Sequence, residues 1–348
     1  SHGKTTTTSL IGNILDTAKF DPTIINGGII NSYSKNNKLG NGEWLVAEAD
    51  ESDGSFLKLP HQISVITNID IEHLDYYVKK SKLINAFKSF ILNLPFYGYS
   101  IVCVDNIYLK KIANKIKTRN IITYSIKNNS SDIYIKEIKN NSKTSFFSIV
   151  LNKKINGYKG KYKFKINLLG DHNILNVTAS IIASLLTGVN LQTIKKGLIN
   201  YKGVKRRFSF IGKKKKSIVI DDYAHHPTEI QATYLAAKKI NQNVTVVFQP
   251  HRYSRTKILM KEFIKVLSKI NKLYILKTYP AGEKVIKNAT SEKLFMKLSK
   301  RKNLAVYVDN ENNLENYLNK HIHQNGIILF MGAGSITKIA NDFVKIND

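Results

Sequence analysis

Short apolar runs alternate along the chain with longer stretches in which apolar residues recur at helical spacing, a rhythm that predicts α/β architecture built on parallel sheets. In the first half, residues 44–47, 63–67, 100–104 and 121–124 read as strands, and 5–17 and 83–94 as helices. From 132 to 168 the pattern changes: Ile, Tyr and Phe alternate with Lys and Asn, interrupted at Asn140-Asn141 and Asn156-Gly157. That is the signature of antiparallel hairpins, a small sheet at the edge of the first domain. Helices over 173–186 and 191–201 follow, and then the basic turn 202–207, which reads as a hinge. Beyond it, apolar runs at 217–221, 244–248, 272–276, 304–308 and 326–330 are separated by helical patterns, as in a Rossmann-like domain. The expected boundaries are 1–204 and 205–348, with no internal repeat.

The 348-residue length fits two domains at roughly 150 residues each. With 43% hydrophobic and 23% charged residues the chain lies far from the composition of disorder. Its formal charge of +29 invites a polyanion-binding reading, but only six of the 54 basic residues are Arg, the side chain that planar phosphate clamps and base readout favour. The lysines are spread throughout and mixed with Asn and Ile, so the charge reads as a chain-wide compositional drift rather than a nucleic-acid footprint. The single cysteine, Cys103, lies in an apolar run and allows no intramolecular disulfide. No apolar stretch reaches the ~20 residues that cross a bilayer, and a cytoplasmic setting is expected.

Several polar clusters follow predicted strands or open predicted helices. Gly3-Lys4-Thr5-Thr6 opens a helix as the second half of a phosphate loop does, with backbone N–H groups facing an anion. In such a loop Lys4 contacts the β and γ phosphates and Thr5 ligates magnesium. Glu48, Asp50, Glu51 and Asp53 crowd the end of a strand; that self-repelling run reads either as a magnesium and nucleotide site or as a solvated acidic loop. His73 stands among Asp70, Glu72 and Asp75, either a structural histidine or a ligand for a second metal. Asn173 and Asn176, one turn apart at a helix start, could read an adenine edge, and Asp171 or Asn173 could cap that helix. In the second half, Asp222 and the pair His225-His226 join a strand to a helix capped near Thr228; the pair lacks the spacing and the Cys partners of a zinc site. Arg252 and Arg255, kept as Arg where Lys is so abundant, suit bidentate contact with carboxylate or phosphate, or a surface ion pair. Gly332 and Gly334 follow the last strand, as an anion cradle or simply a tight turn.

Taken in order, these motifs resemble the Mur ligases, and within them the branch that adds L-alanine. The resemblance runs from His2-Gly-Lys-Thr-Thr-Thr-Thr8 through the acidic run 47–53, 68–75, Asn93-Leu-Pro-Phe-Tyr-Gly98, Asp171-His-Asn-Ile-Leu-Asn176, Arg206-Arg-Phe208, 221–229 and 248–256 to Tyr279-Pro-Ala-Gly-Glu283. It implies a central P-loop ATPase domain with a parallel sheet plus a small antiparallel sheet, followed by a Rossmann-like C-terminal α/β domain. It also implies an ATP-dependent ligase of peptidoglycan synthesis that joins L-alanine to UDP-N-acetylmuramate through an acyl phosphate, with ATP and Mg2+ as cofactors. On that pattern Lys4 stabilises the transferring phosphoryl group, Thr5 and Glu48 hold one magnesium, and His73 holds the second. His2, Gly3, Thr6, Asn173, Asn176, Arg207 and Asp222 would contact ATP, and His225, His251, Arg252 and Arg255 would serve the reacting carboxylates. The resemblance implies no nucleic-acid, membrane or obligate protein partner.

Mur ligases also carry an N-terminal UDP-binding domain and a glycine ahead of the phosphate loop, which these residues do not show. The expectation is therefore a fragment that binds ATP poorly by itself. Lys88 lies where some relatives carry a carbamylated lysine, and it is not assigned. The tripeptide-recycling ligase of the same family and a basic P-loop nucleic-acid ATPase are the alternative readings.

Overall fold

The computed structural model describes residues 1–70, 74–141, 144–299, 304–321 and 325–345. The chain divides into two compact units, Ser1–Lys205 and Arg206–Asp348.

The first unit holds two sheets. β1 (Thr23–Ile30) lies between an antiparallel β2 (Lys35–Lys38) and a parallel β3 (Leu45–Ala47). The larger sheet runs in sequence order: β4 (Ile63–Ile66), β5 (Tyr99–Cys103), β6 (Asn120–Ser125) and β7 (Ile133–Asn140) are parallel, and β8 (Ser145–Ile155) and β9 (Tyr158–Ile166) continue it as antiparallel hairpins. Two expectations change here. The run at 44–47 belongs to the separate three-stranded sheet, not to the parallel one, and the hairpins extend the main sheet instead of forming one of their own.

The helix Lys4–Thr17 packs on β1 and on the helices Asp171–Leu186 and Leu191–Asn200. Leu10, Ile14 and Leu15 are fully buried on it, each gaining about 1.5–3 kcal/mol from transfer out of water. Ile174, Val177, Ile181 and Leu185 are equally buried on Asp171–Leu186, so that helix is covered on nearly every side. It starts at Asp171 behind Gly170 at φ 96°, with no side-chain cap, so neither expected capping residue serves there.

In the second unit, the strand order is β10-β11-β15-β12-β13-β14, where β10 is Ser209–Lys214, β11 Ser217–Asp222, β12 Val244–Phe248, β13 Lys272–Leu276, β14 Leu304–Val308 and β15 Ile327–Met331. All neighbours are parallel except β10 on β11. Alternate residues enter two cores: Val246, Phe248, Leu273 and Leu329 meet Phe263 and Leu294, while Val247, Tyr274, Ile328 and Phe330 meet Leu314, Ile336 and Phe343. Burial on both faces explains why these strands read as continuous apolar runs. The last strand, β15, inserts between β11 and β12, and the loops after those three strands gather where ligands of open α/β sheets bind.

Candidate active site

Gly3, at φ 83°, turns the chain into the helix Lys4–Thr17, and no side chain caps that N-terminus. A methyl group on Gly3 would press into the Asn176 side-chain amide. The preceding residue is fixed from beside β4: the His2 amide donates to Asn68 Oδ1 at 2.8 Å, Thr67 Oγ1 donates to the His2 carbonyl at 2.6 Å, and His2 Nε2 lies 3.1 Å from Asp70 Oδ2. Thr5 and Thr6 are buried in the first turn.

Three of the four acidic residues converge on this helix start, and they split between two partners. Thr5 Oγ1 donates to Glu48 Oε1 at 3.0 Å, and Glu48 Oε2 accepts the Gly27 amide at 2.7 Å. Lys4 Nζ lies 2.6 Å from Asp50 Oδ1 and 2.6 Å from Glu51 Oε2. Asp53 turns away to accept the Ser55 amide at 2.9 Å, so the expected four-carboxylate cluster is divided: Glu48 on Thr5 and Gly27, Asp50 and Glu51 sharing Lys4, and Asp53 on its own turn. Burial works against the charge on Lys4, but Glu51 and Asp50 outweigh it and hold the ammonium above its ordinary range. Glu51 is 2% exposed; burial opposes its ionisation, while Lys4, 2.6 Å away, favours the carboxylate and holds its pKa below the usual range. A hydroxyl and a carboxylate 3.0 Å apart are hard oxygen donors of the kind magnesium takes. His73 lies outside the described residues.

Asn173 and Asn176 are both buried. Asn173 Nδ2 donates to the Leu169 carbonyl at 2.8 Å and Asn176 Nδ2 lies 3.5 Å from Asn173 Oδ1, bonds that stay within this helix start while the Asn176 amide lies against Gly3.

In the second unit, Asp222 is buried at the end of β11 and accepts the amides of Phe208 at 2.7 Å and Ala224 at 2.8 Å. Burial outweighs those donors and pushes its pKa up to about 6. The Thr233 hydroxyl also donates to Asp222 at 3.3 Å, and Phe208 adjoins Arg207, whose guanidinium lies over the Tyr223 ring, 5.3 Å from the centroid. The helix expected to be capped near Thr228 spans Pro227–Ile240 and is capped by His226, with Glu229 completing a capping box. His225 Nδ1 lies 2.9 Å from the Tyr223 carbonyl.

His251 stacks on Tyr279, their rings 5.5 Å apart and inclined by 6°. Arg255 reaches it from one helical turn on, Nη1 lying 3.1 Å from Nδ1. Burial first, then Arg255, His225 and Arg252, lower the His251 pKa to about 4. Arg252 sits at φ 67° and ψ 133°, a conformation costing a non-glycine residue about 1–3 kcal/mol and characteristic of functional sites. Its amide donates to the Tyr279 carbonyl at 2.9 Å, which holds it there. Gln249 ties the loop after β12 to the one after β15, donating to Ser335 Oγ at 3.0 Å and accepting the Ile336 amide at 3.1 Å.

Sequence reasoning placed Asp50 and Glu51 at the site but missed their pairing with Lys4; it missed Gly27 altogether, and gave Gln249 no role. For Gly27 the available signal was a Gly-Gly pair inside an otherwise apolar strand, which marks close backbone approach.

A phosphate-loop helix start with a hydroxyl–carboxylate pair beside it, followed by a Rossmann-like unit whose strand ends carry Asp222, His225 and two arginines, defines an ATP-using ligase class. The chain belongs to the Mur ligase family: the Mur ligase middle domain matches residues 1–184, and the Mur ligase glutamate ligase domain matches 206–334. It is 42% identical over 98% of its length to the UDP-N-acetylmuramate--L-alanine ligase of Rickettsia felis, of which it covers 73%. The crystal structure of UDP-N-acetylmuramate-alanine ligase MurC from Thermotoga maritima superimposes on 99% of this chain at a TM-score of 0.80 and 25% identity, with 73% of that chain covered. The Thermotoga maritima MurF ligase, solved with ADP, shares the fold over 99% of this chain and 78% of its own, with a TM-score of 0.75 and 16% identity. Among the described residues no helix is long and apolar enough to cross a membrane.

Proposed function

We propose that this chain belongs to a ligase that joins L-alanine to the lactyl carboxylate of UDP-N-acetylmuramate at the expense of ATP, in peptidoglycan precursor synthesis. The observation that carries the reading is the 42% identity over 98% of the chain to a protein named for that reaction. The gathering of Lys4, Thr5 and Glu48 at one helix N-terminus supports it. In this reaction the carboxylate attacks the γ phosphorus and ADP leaves. The neutral amine of alanine then attacks the acyl carbon of the acyl phosphate, phosphate leaves, and the amine gives up a proton. The acyl transfer needs no covalent help from the protein, so catalysis consists of positioning anions and neutralising them.

Residues 1–204 supply the ATP site and 205–348 the glutamate-ligase-type domain. Lys4 exchanges Asp50 and Glu51 for phosphoryl oxygens, and the backbone from His2 to Thr6 presents the loop amides. Thr5 and Glu48 hold a magnesium ion, which when bound neutralises the phosphate oxygens; His73 is proposed as ligand to a second. Asn173 and Asn176 meet the adenine. Arg207 meets phosphate, and Asp222 shapes the turn that carries it. His225, Arg252 and Arg255 orient carboxylates, while His251 stays neutral at pH 7. The reaction is assigned to the cytoplasm, with no nucleic acid and no obligate protein partner.

The test is phosphate release by the product of the complete gene, supplied with ATP and magnesium. Release that requires both UDP-N-acetylmuramate and L-alanine, with the amide identified by mass spectrometry, supports the assignment. Release supported by a tripeptide in place of alanine moves it to the recycling ligase, and release stimulated by polynucleotide instead defeats it.

A further inference from the structure

We infer that Gly27 is a positioning residue for the magnesium pair, holding Glu48 against Thr5 through its amide and through the absence of a side chain. The inference rests on the reading of Thr5 and Glu48 as magnesium ligands. Gly27 stands in β1, which pairs with the strand leading into Glu48, and its amide donates to Glu48 Oε2 at 2.7 Å. That bond fixes one carboxylate oxygen and leaves the other, Oε1, facing Thr5 Oγ1 at 3.0 Å. A Cβ on Gly27 would lie 2.9 Å from Oε2, 3.0 Å from Oε1 and 3.1 Å from Cδ of Glu48, and it would meet none of these atoms at a comfortable distance. Gly27 is absent from the positive-φ residues of the chain, so its backbone conformation is open to alanine. The demand for glycine here is therefore steric and directed at one carboxylate. Next to it, a Cβ on Gly28 would come within 2.9 Å of Thr5 Cγ2, so the same two residues leave room for both members of the pair.

The group in the way is the free end of a flexible side chain at an exposed strand position, so Gly27→Ala leaves the fold intact and moves Glu48 instead. The experiment measures ADP binding calorimetrically, with EDTA and across a magnesium titration, for the unsubstituted protein, Glu48→Gln, Gly27→Ala and the double variant. Thermal unfolding is followed in parallel. Gly27→Ala is expected to keep the metal-free ADP affinity and the unfolding midpoint, and to lose about 10- to 100-fold in the magnesium-dependent gain, the usual cost of disturbing a group that orients a metal ligand. In the Glu48→Gln background the glycine substitution should add no further loss. An unchanged magnesium response in Gly27→Ala, multiplicative losses in the double variant, or failure of Gly27→Ala to fold would each overturn the inference. If Glu48→Gln itself leaves the magnesium response unchanged, the metal-pair reading falls first and this inference with it.

Discussion

Lys4 serves the fold as well as the chemistry proposed for it, and the two can be separated. Its ammonium is the side-chain cation for Glu51, whose carboxylate is 3% exposed, and it also meets the more exposed Asp50. In Lys4→Met, Glu51 loses the side-chain cation that stands 2.6 Å from its Oε2. Breaking a buried pair by removing one partner costs about 3–5 kcal/mol, and the partial exposure of Lys4, 24%, sets the expectation near the lower end, about 3 kcal/mol. Ligation should fall about 10²- to 10³-fold, the scale for losing one group that stabilises charge in the transition state. Adding Glu51→Gln removes the stranded carboxylate and should return most of the stability with none of the activity. Trp44 is the single tryptophan and packs on the first unit's core, so its fluorescence in a urea titration reports this unit. The pH dependence carries the same information. A carboxylate held below its unfolded pKa contributes stability above that pKa and loses it as pH falls through the folded value. The unsubstituted unit should therefore lose stability on acidification more steeply than Lys4→Met/Glu51→Gln. Full stability in Lys4→Met, or activity recovered in the double variant, would refute this account.

Asp222 gives the opposite sign: with a folded pKa of about 6 it binds its proton more tightly folded than unfolded, so its contribution falls as pH rises from about 4 to 6. Relative to Asp222→Asn, the second unit should lose about 1 kcal/mol between pH 5 and 7, and a carboxyl carbon titration below pH 4 would show that the Phe208 and Ala224 amides outweigh burial. His251 should titrate near pH 4, and Arg255→Gln should raise that value; an imidazole titration in NMR that stays put would remove the guanidinium as a cause. Gly3→Ala should cost the first unit about 1–3 kcal/mol through its left-handed φ and the push on Asn176, with nucleotide affinity lost as well. Adding Asn176→Ala should return part of that stability, and no recovery would mean the backbone alone is responsible. Asp50→Asn, at an exposed position, should leave stability within about 0.5 kcal/mol and strengthen metal-free ADP binding about fivefold, less so at high salt; calorimetry showing no gain would remove Asp50 as a competitor of phosphate.

How much of this was legible follows from what each segment buries. The five parallel strands of the second unit read clearly because both faces are covered, which forces continuous apolar runs such as Val244–Phe248. β1 and β2 did not. Asn26, Gly27 and Gly28 interrupt the first, and the second is Lys-Asn-Asn-Lys, a strand made by pairing with β1 rather than by any preference of its own. β10 escaped for a related reason: Ser209–Lys214 has one mixed face and owes its extension to β11. The phosphate loop was visible because its glycine, lysine and threonine are adjacent in sequence. Its counterions were not, since the pairing of Lys4 with Asp50 and Glu51 spans 46 and 47 residues and depends on where β3 ends.

The division of the acidic run explains how a loop so rich in carboxylates can receive a polyphosphate. Read as a string, residues 48 to 53 look like one cation site with four equivalent ligands. In three dimensions, β3 ends beside the helix Lys4–Thr17 and the chain turns there, so successive side chains leave in different directions. Glu48 goes to Thr5 and the Gly27 amide, Asp50 and Glu51 go to Lys4, and Asp53 goes to the next turn. The helix start thus gathers three carboxylates, Glu48, Asp50 and Glu51, around the ammonium of Lys4, an arrangement that repels a bare phosphate chain and attracts a cation. In the proposed site, a nucleotide arriving with its metal would bring the charge that Glu48 and Thr5 are to accept, and its phosphates would draw Lys4 away from Asp50, whose side chain is 57% exposed and can be solvated. Glu51, with its carboxylate 3% exposed, cannot be solvated in the same way and stays with Lys4 behind the loop. Selectivity for the metal-bound nucleotide therefore follows from the order in which the carboxylates can be released. On the proposed roles, the exposed one yields to phosphate, the one pinned by Gly27 takes the metal, and the buried one remains as the charge that keeps Lys4 protonated and near the loop.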